Sequence, residues 1–277
     1  QLSEEYIKYL DNLGYGYDKN YSLLYFGGQT IFKKICPRFA AKEFERGIIL
    51  FQNKDYDSAS DIFRKLYRRT NNYSYLNYYI NSLVYNKRIV EAHKYFISQE
   101  KYFIGSRYEY NYWLRNAELY GLESKVDSAI SNLNKLIENS PNINYSTYAN
   151  TLKYILEKTP NSFSNYYFGK SKEKIELLRS IQYGDIPVEV AIEIIDLAGG
   201  RKEYSNIIED NIKNIDINSS LLGYAFLKTS KYFFNIGEIN KSEFYSKESL
   251  RLNKNSFFNY EIEENNKMIL SINEKLR

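Results

Sequence analysis

Cysteine, histidine, methionine and tryptophan each occur once in this chain of 277 residues, and proline only four times. A single cysteine, Cys36, excludes an internal disulfide and a cysteine-rich metal site. A single histidine, His93, leaves no His/Cys cluster with zinc spacing. No stretch reaches the roughly 18 apolar residues that a membrane-crossing helix needs. The net charge of +4, from 38 basic and 34 acidic residues, is too weak to demand nucleic acid or an anionic membrane as partner. The chain begins at Gln1 rather than Met, so it reads as a processed form, and a signal peptide or lipid anchor upstream stays open. The compartment stays open with it, cytoplasmic or envelope-associated.

The chain is 43% hydrophobic and 26% charged, enough apolar content to bury a core. Four prolines and thirteen glycines suit long helices. Thirty tyrosines and sixteen phenylalanines are many. They accompany abundant Asn, Lys and Ile, the mark of an AT-rich coding habit. Tyrosine patches therefore carry less functional weight than their number suggests.

Residues 40–66 are the most informative stretch. They predict a helix, a turn at Asn53, Lys54 and Asp55, and a second helix. Gly47 sits on the first and Ala59 on the second, surrounded by Phe44, Leu50, Phe51, Tyr56, Phe63 and Leu66. Small residues let two antiparallel helices approach, and the large ones fill the space toward the next pair. A second such pair spans residues 110–143. There Trp113, Ala117 and Tyr120 precede Val126, Ala129, Leu133 and Leu136, with Pro141 closing it. Ala59 and Ala129 lie 70 residues apart. A weaker pair lies between (Leu76, Ile80, Leu83; Ile89, Ala92, Phe96), with Ile80 where a small residue is expected. This spacing resembles the tetratricopeptide repeat (TPR), a unit of about 34 residues. The resemblance implies an all-α fold, a right-handed α-solenoid of antiparallel helix pairs with degenerate C-terminal repeats.

The expected organisation has three parts. Residues 1–35, punctuated by Gly14, Gly16, Gly27 and Gly28, read as a capping segment. Gly27 and Gly28 are no phosphate loop, because no Gly-Lys-Ser/Thr follows. Residues 36–159 hold three repeats and the start of a fourth at 144–158. Residues 160–277 hold helical hairpins, with a break between two lobes expected at Pro160 and the polar run after it. Helices are expected at 171–182, 186–197 (with Gly199 and Gly200 as its stop) and 203–215. A last TPR-like pair carries Phe226, Phe233 and Phe234, then Phe244, Tyr245 and Leu250. Ser230 and Ser242 take the small-residue places, with Gly237 in the turn. Ile262, Met268, Ile269, Ile272 and Leu276 form the apolar stripe of a terminal helix, and Glu261, Glu263 and Glu264 its wet face.

Catalysis has little to work with, since no acid, base and nucleophile assemble in the sequence. His93 reads as a structural histidine on the outer helix of repeat two. Cys36 reads as a small core thiol, although a helix N-terminus lowers a thiol's pKa. No metal or cofactor is expected.

Binding has better candidates. In proteins that resemble these repeats, the first helix of each pair lines a concave groove. The positions implied are Ala41, Phe44, Ile48, Phe51 and Gln52 in repeat one and Ser74, Asn77, Asn81, Val84 and Tyr85 in repeat two. In repeat three they are Asn111, Leu114, Glu118 and Leu122, and in the last pair Tyr224, Leu227, Lys231, Phe234 and Asn235. Asn77 and Asn81 share one helical face and suit gripping a peptide backbone. Phe44, Phe51 and Leu114 equally suit packing against the next helix. A carboxylate clamp of the kind some relatives use is doubtful. Phe44 and Ile48 stand at basic positions, and only Arg115 fits, beside Asn111. The cluster Arg64, Lys65, Arg68 and Arg69, with Tyr67, complements a helix C-terminus or contacts a phosphate.

The function expected is a non-enzymatic adaptor that holds a protein or peptide in the groove, in a bacterial envelope, motility or secretion assembly. A peptide-sensing regulator and an RNA-binding helical repeat are the alternatives.

Overall fold

The computed structural model describes residues 37–140, 142–182, 184, 186–253 and 256–276. The expected cap at 1–35, Cys36 and Pro141 lie outside the described residues. Among the described residues fourteen α-helices follow one another. They are α1 Pro37–Gln52, α2 Tyr56–Thr70, α3 Tyr73–Tyr85, α4 Ile89–Ile97, α5 Glu109–Leu122, α6 Val126–Asn139 and α7 Ile143–Lys158. After them come α8 Phe163–Phe168, α9 Ser171–Ser180, α10 Val188–Ala198, α11 Ser205–Lys213, α12 Leu222–Asn235, α13 Ile239–Leu252 and α14 Asn259–Leu276. No β-strand occurs among the described residues, where Ile186 and Ile215 form an isolated parallel bridge. The fold is an all-α, TPR-like helical repeat. Contacts divide the chain into two compact units, Gln1–Gln99 and Glu100–Arg277.

Four of the hairpins close with the same backbone turn. After α1, the Lys54 N–H donates to the Phe51 carbonyl (3.0 Å) and the Asp55 N–H to Leu50 (2.9 Å). Lys87 and Arg88 repeat this after α3, Ser124 and Lys125 after α5, and Gly237 and Glu238 after α12. The left-handed residue is Lys54 (φ 65°), Lys87 (62°), Ser124 (60°) or Gly237 (80°). This is the 6→1 and 5→2 pattern of a Schellman cap, which satisfies the last helical carbonyls and reverses the chain within three residues. Only Gly237 has the residue type that tolerates that φ without cost. The α10 hairpin instead places Gly199 (φ 57°) and Gly200 (φ 75°) in tandem.

Small residues sit where paired helices cross. A Cβ on Gly47 would lie 2.7 Å from the Phe63 ring, so that ring occupies the space a side chain would need. Ala59, Ala92, Ala117 and Ala129 are all buried. In α12 and α13 the crossing is polar. The Ser230 hydroxyl donates to the Ser242 carbonyl (2.8 Å) and the Ser242 hydroxyl to the Ser230 carbonyl (2.9 Å). Both serines are fully buried. Each hydroxyl thus finds a partner in the opposite backbone, and the helices approach as closely as alanines would allow.

Cross-helix hydrogen bonds carry the repeat length directly. Tyr67 donates to Gln99, 32 residues on, and Asn111 to Tyr145, 34 residues on. Lys228 reaches back 32 residues to Asp196. Equivalent side chains of successive pairs therefore meet.

The second unit has one continuous core that runs from Ala117 to Ile262. It includes Leu156 and Phe163 on either side of the exposed Pro160. Pro160–Ser162 is a 3-10 turn, and α8 follows with Phe163 and Tyr166 buried. The polar run enters a helix with one buried side, where the Phe163 ring fills the space beside Gly121 of α5. The division between the compact units falls at Gln99 and Glu100. Helix α14 buries Ile262 and Ile269, but Met268 is 42% exposed. Its thioether leaves the stripe because it falls one position before Ile269 on the helix. Phe244 (58%) and Leu250 (38%) likewise face outward while Tyr245 is buried. His93 is buried, as a structural histidine should be.

Candidate partner-binding faces

In the first unit, α1 and α3 carry the expected groove positions. Phe44 meets Phe63 (ring centroids 5.7 Å), Tyr75 (5.2 Å) and Tyr78 (5.2 Å). Phe51 meets Tyr56 (5.2 Å), Tyr78 (6.2 Å) and Tyr85 (5.5 Å). Both phenylalanines thus clamp α1 and α2 to α3, with Tyr78 between them. Edge-to-face pairs of this kind add about 0.5–1.5 kcal/mol each beyond burial. Their ring edges and the half-buried Ile48, Asn77 and Asn81 form the accessible surface, with Gln52 exposed and Tyr85 39% exposed.

In the second unit, Asn111, Arg115 and Glu118 share one face of α5 at helical spacing. A tyrosine from a later helix engages each. Asn111 Nδ2 donates to Tyr145 Oη (2.6 Å), and an Arg115 guanidinium nitrogen to Tyr167 Oη (2.7 Å). Tyr148 Oη donates to Glu118 Oε1 at 3.5 Å. Arg115 also pairs with Glu118 at 3.0 Å. Glu118 is 8% exposed, so the structure places it beneath the surface rather than on it. Burial pushes its carboxyl pKa up, against the pull of Arg115, Lys174 and the Tyr148 hydroxyl. Leu114 packs against the core.

The polar contacts continue helix by helix. Tyr166 of α8 donates to Glu193 of α10 (2.7 Å), and Lys174 of α9 lies 4.9 Å above the Tyr166 ring. Burial raises Glu193 as well, while the Tyr166 hydroxyl opposes the rise. Asp196, one turn on, binds Lys228 of α12 through both oxygens (2.9 and 3.0 Å). Burial works against the Lys228 ammonium, but the bond to Asp196 and its charge outweigh it and raise the pKa. Lys231 of α12 then pairs with Glu261 of α14 at 2.5 Å. The result is a ladder of polar contacts across α5, α8, α10, α12 and α14, with tyrosine hydroxyls as its α8 members and ion pairs at α5 and between α10, α12 and α14. It is dry at Glu118 and open at its far end, where the side chains of Asp196, Lys231 and Glu261 are 42–49% exposed. Tyr224 is buried and stacked on Phe258 (4.4 Å), which removes it from that surface, and Asn235 is exposed.

The α5 members of this ladder and Lys231 were legible as groove positions. Tyr148, Tyr166, Lys174, Glu193, Asp196 and Lys228 were not, because their pairs lack the small-residue signature that sets the register. The offsets of 30–34 residues between Glu118 and Tyr148, Asn111 and Tyr145, and Asp196 and Lys228 are the signal that reaches them.

Of the basic cluster on α2, Arg64 is taken up by Asp61 (2.8 Å), and Tyr67 is buried with its hydroxyl on Gln99. Lys65, Arg68 and Arg69 are exposed. Of the acidic run on α14, Glu261 and Glu264 pair with Lys231 and Lys267. Among the described residues no group of three His, Cys, Asp or Glu side chains is placed to hold a metal ion, and no helix is long and apolar enough to cross a membrane.

No protein-family model matches the chain, and neither does any curated protein. Among solved structures, a tetratricopeptide repeat protein from Parabacteroides merdae is similar at 13% identity, over 83% of this chain and 98% of that one, with a TM-score of 0.34. A likeness at that level carries no functional argument. The repeated turns, crossings and cross-helix bonds described above carry the repeat reading for this chain.

Proposed function

We propose that the chain is a non-enzymatic scaffold that holds an extended segment of a partner protein along the inner helices of its repeats. The observation that carries this reading is the ladder of the second unit. A helical repeat needs only apolar contact between neighbours. Here α5, α10, α12 and α14 also carry charged side chains held by ion pairs or by tyrosine hydroxyls of neighbouring helices. Such groups offer donors and acceptors at fixed positions, so a peptide that meets them loses little to ordering the site. The open rungs Asp196, Lys231 and Glu261, with the exposed Asn235 beside Lys231 on α12, would contact the segment. Arg115 and Glu118 would hold the wall behind it. In the first unit, Ile48, Gln52, Asn77, Asn81 and Tyr85 would offer a mixed apolar and amide surface. Assembly of a larger bacterial complex is the process this reading suits.

The test is site-specific photo-cross-linking. A benzophenone side chain placed at Lys231 or at Asn235 is compared with one at Lys247, exposed on α13. Defined polypeptide adducts from positions 231 and 235, absent from 247, support the reading. The same adducts from all three positions, or nucleic-acid adducts, refute it.

A further inference from the structure

The antiparallel packing of α1 and α2 sets the first turns of α1 beside the last turns of α2. A hollow of about 150 Å³ opens between them. Phe39 and Glu43 line it from α1, and Ile62, Lys65, Leu66 and Arg69 from α2. Leu66 is buried and makes an apolar floor, while Phe39 is 51% exposed at the rim. A space of that order accepts a group of about the size of benzene.

The charge around it is mostly positive: the exposed acids within a helical turn of the lining are Glu45 and Asp61, and Asp61 is taken up by Arg64. Arg38, Lys42, Lys65, Arg68 and Arg69 are exposed within a helical turn of the lining and form no ion pair among the described residues. The acid of the lining, Glu43, already faces Arg46 at 3.8 Å. Cations in the last turn of α2 complement its dipole and need no further reason. Arg38 and Lys42 have no such excuse. Arg38 lies in the first turn of α1, where the dipole is positive and no acidic residue offsets it, and Lys42 follows one turn on, just ahead of Glu43 and Glu45. Arg38 and Lys42, with Lys65, Arg68 and Arg69 across the hollow, outnumber the nearby acids and raise the local potential.

We infer that this hollow docks an acidic peptide segment of a second protein, seating one apolar side chain between Phe39 and Leu66 with carboxylates over the surrounding cations. An RNA strand would use the cations but not the apolar floor. A membrane surface would need a broader basic face than one helix pair offers. The site is separate from the inner-helix ladder, so it stands or falls independently of that reading.

The experiment uses the full chain and a fluorescein-labelled dodecapeptide, EDEDELFEDEDE, read by fluorescence anisotropy. Saturable binding that weakens with added salt is expected. Lys65→Glu with Arg69→Glu should weaken it about tenfold or more, since screening leaves exposed opposite charges at these distances still coupled. Phe39→Ala should weaken it severalfold without altering the salt slope. The altered side chains are exposed, and circular dichroism checks each fold, with Arg38→Glu and Lys42→Glu as the second charge variant. Absence of saturable binding, indifference to both charge variants, or tighter binding of a uridine dodecamer or of phosphatidylserine vesicles would overturn the inference. So would a benzophenone at position 39 that cross-links to the chain's own residues 1–36, which would then be the occupant.

Discussion

Replacing Arg115 by methionine keeps most of the side chain's apolar volume and removes its charge. Glu118 is then left buried with only the Tyr148 hydroxyl, at 3.5 Å, and the field of Lys174. Stranding one partner of a buried pair costs about 3–5 kcal/mol when the remaining group must stay charged. Glu118 has an escape, because it can take up a proton. Holding it neutral at pH 7 against an ordinary pKa of 4.5 spans 2.5 pH units, or roughly 3.4 kcal/mol. That figure bounds the electrostatic part of the loss. The lost bond to Tyr167 adds about 1 kcal/mol. The pH dependence has a definite sign. A carboxyl whose pKa is raised on folding stabilises the fold most below the unfolded value and progressively less as pH rises. Without Arg115 the rise is larger, so the gap between variant and wild type should be widest at pH 7–8 and shrink toward pH 5. Thermal melts of both proteins, monitored by circular dichroism between pH 5 and 8, read it. A loss of about 3 kcal/mol corresponds to roughly 6–12 °C for a unit of this size. Adding Glu118→Gln should recover most of the loss at pH 7. A deficit that is constant from pH 8 to 5, or that Glu118→Gln leaves unrepaired, would refute the pairing as described.

Other substitutions probe the repeats and the ladder separately. Gly121→Ala places a Cβ 2.5 Å from the Phe163 ring and should destabilise by about 1–3 kcal/mol in denaturant melts. Phe163→Leu in the same chain should relieve part of that loss, giving a non-additive double-mutant cycle. Lys54→Gly, Lys87→Gly and Ser124→Gly, at the left-handed turn positions, should each raise stability by up to about 1 kcal/mol. Equal losses at all three would show that the turn geometry is misassigned. Glu193→Gln keeps an acceptor for the Tyr166 hydroxyl and removes a buried charge. Its melting temperature relative to wild type should therefore climb as pH rises from 5 to 8.

The sequence was most readable where packing alone decides position. Gly47, Ala59, Ala117 and Ala129 mark crossings because nothing larger fits, and that requirement prints directly into residue type. The turns at Lys54 and Lys87 were harder to see, since lysine does not advertise a left-handed φ as Gly237 does. The register was lost after Pro160, where the chain inserts the six-residue α8. Proline and a polar run signal a break in isolation, but Phe163 and Tyr166 are buried by partners far away in sequence. The groove positions at Phe44, Phe51, Glu118 and Tyr224 show a second limit. Helical spacing gives the face a residue occupies, not how deeply its neighbours bury it. That depth was set by Tyr78 and Tyr85 in the first unit and by Tyr148 and Phe258 in the second. The tyrosines looked like a coding habit, yet Tyr145, Tyr148, Tyr166 and Tyr167 pin the polar side chains of the ladder.

The helices that carry the ladder of the second unit are proposed to hold a partner protein. Quantitative affinity capture from source-cell lysate tests it most directly, comparing the wild-type chain with a variant carrying Asp196→Asn, Lys231→Gln and Asn235→Ala and melting at the same temperature. One or a few proteins of a single complex should be captured by the wild type and depleted about tenfold or more with the variant, as loss of a few hot-spot contacts requires. Equal recovery of the same proteins by both chains, or nucleic acid as the retained species, would contradict it.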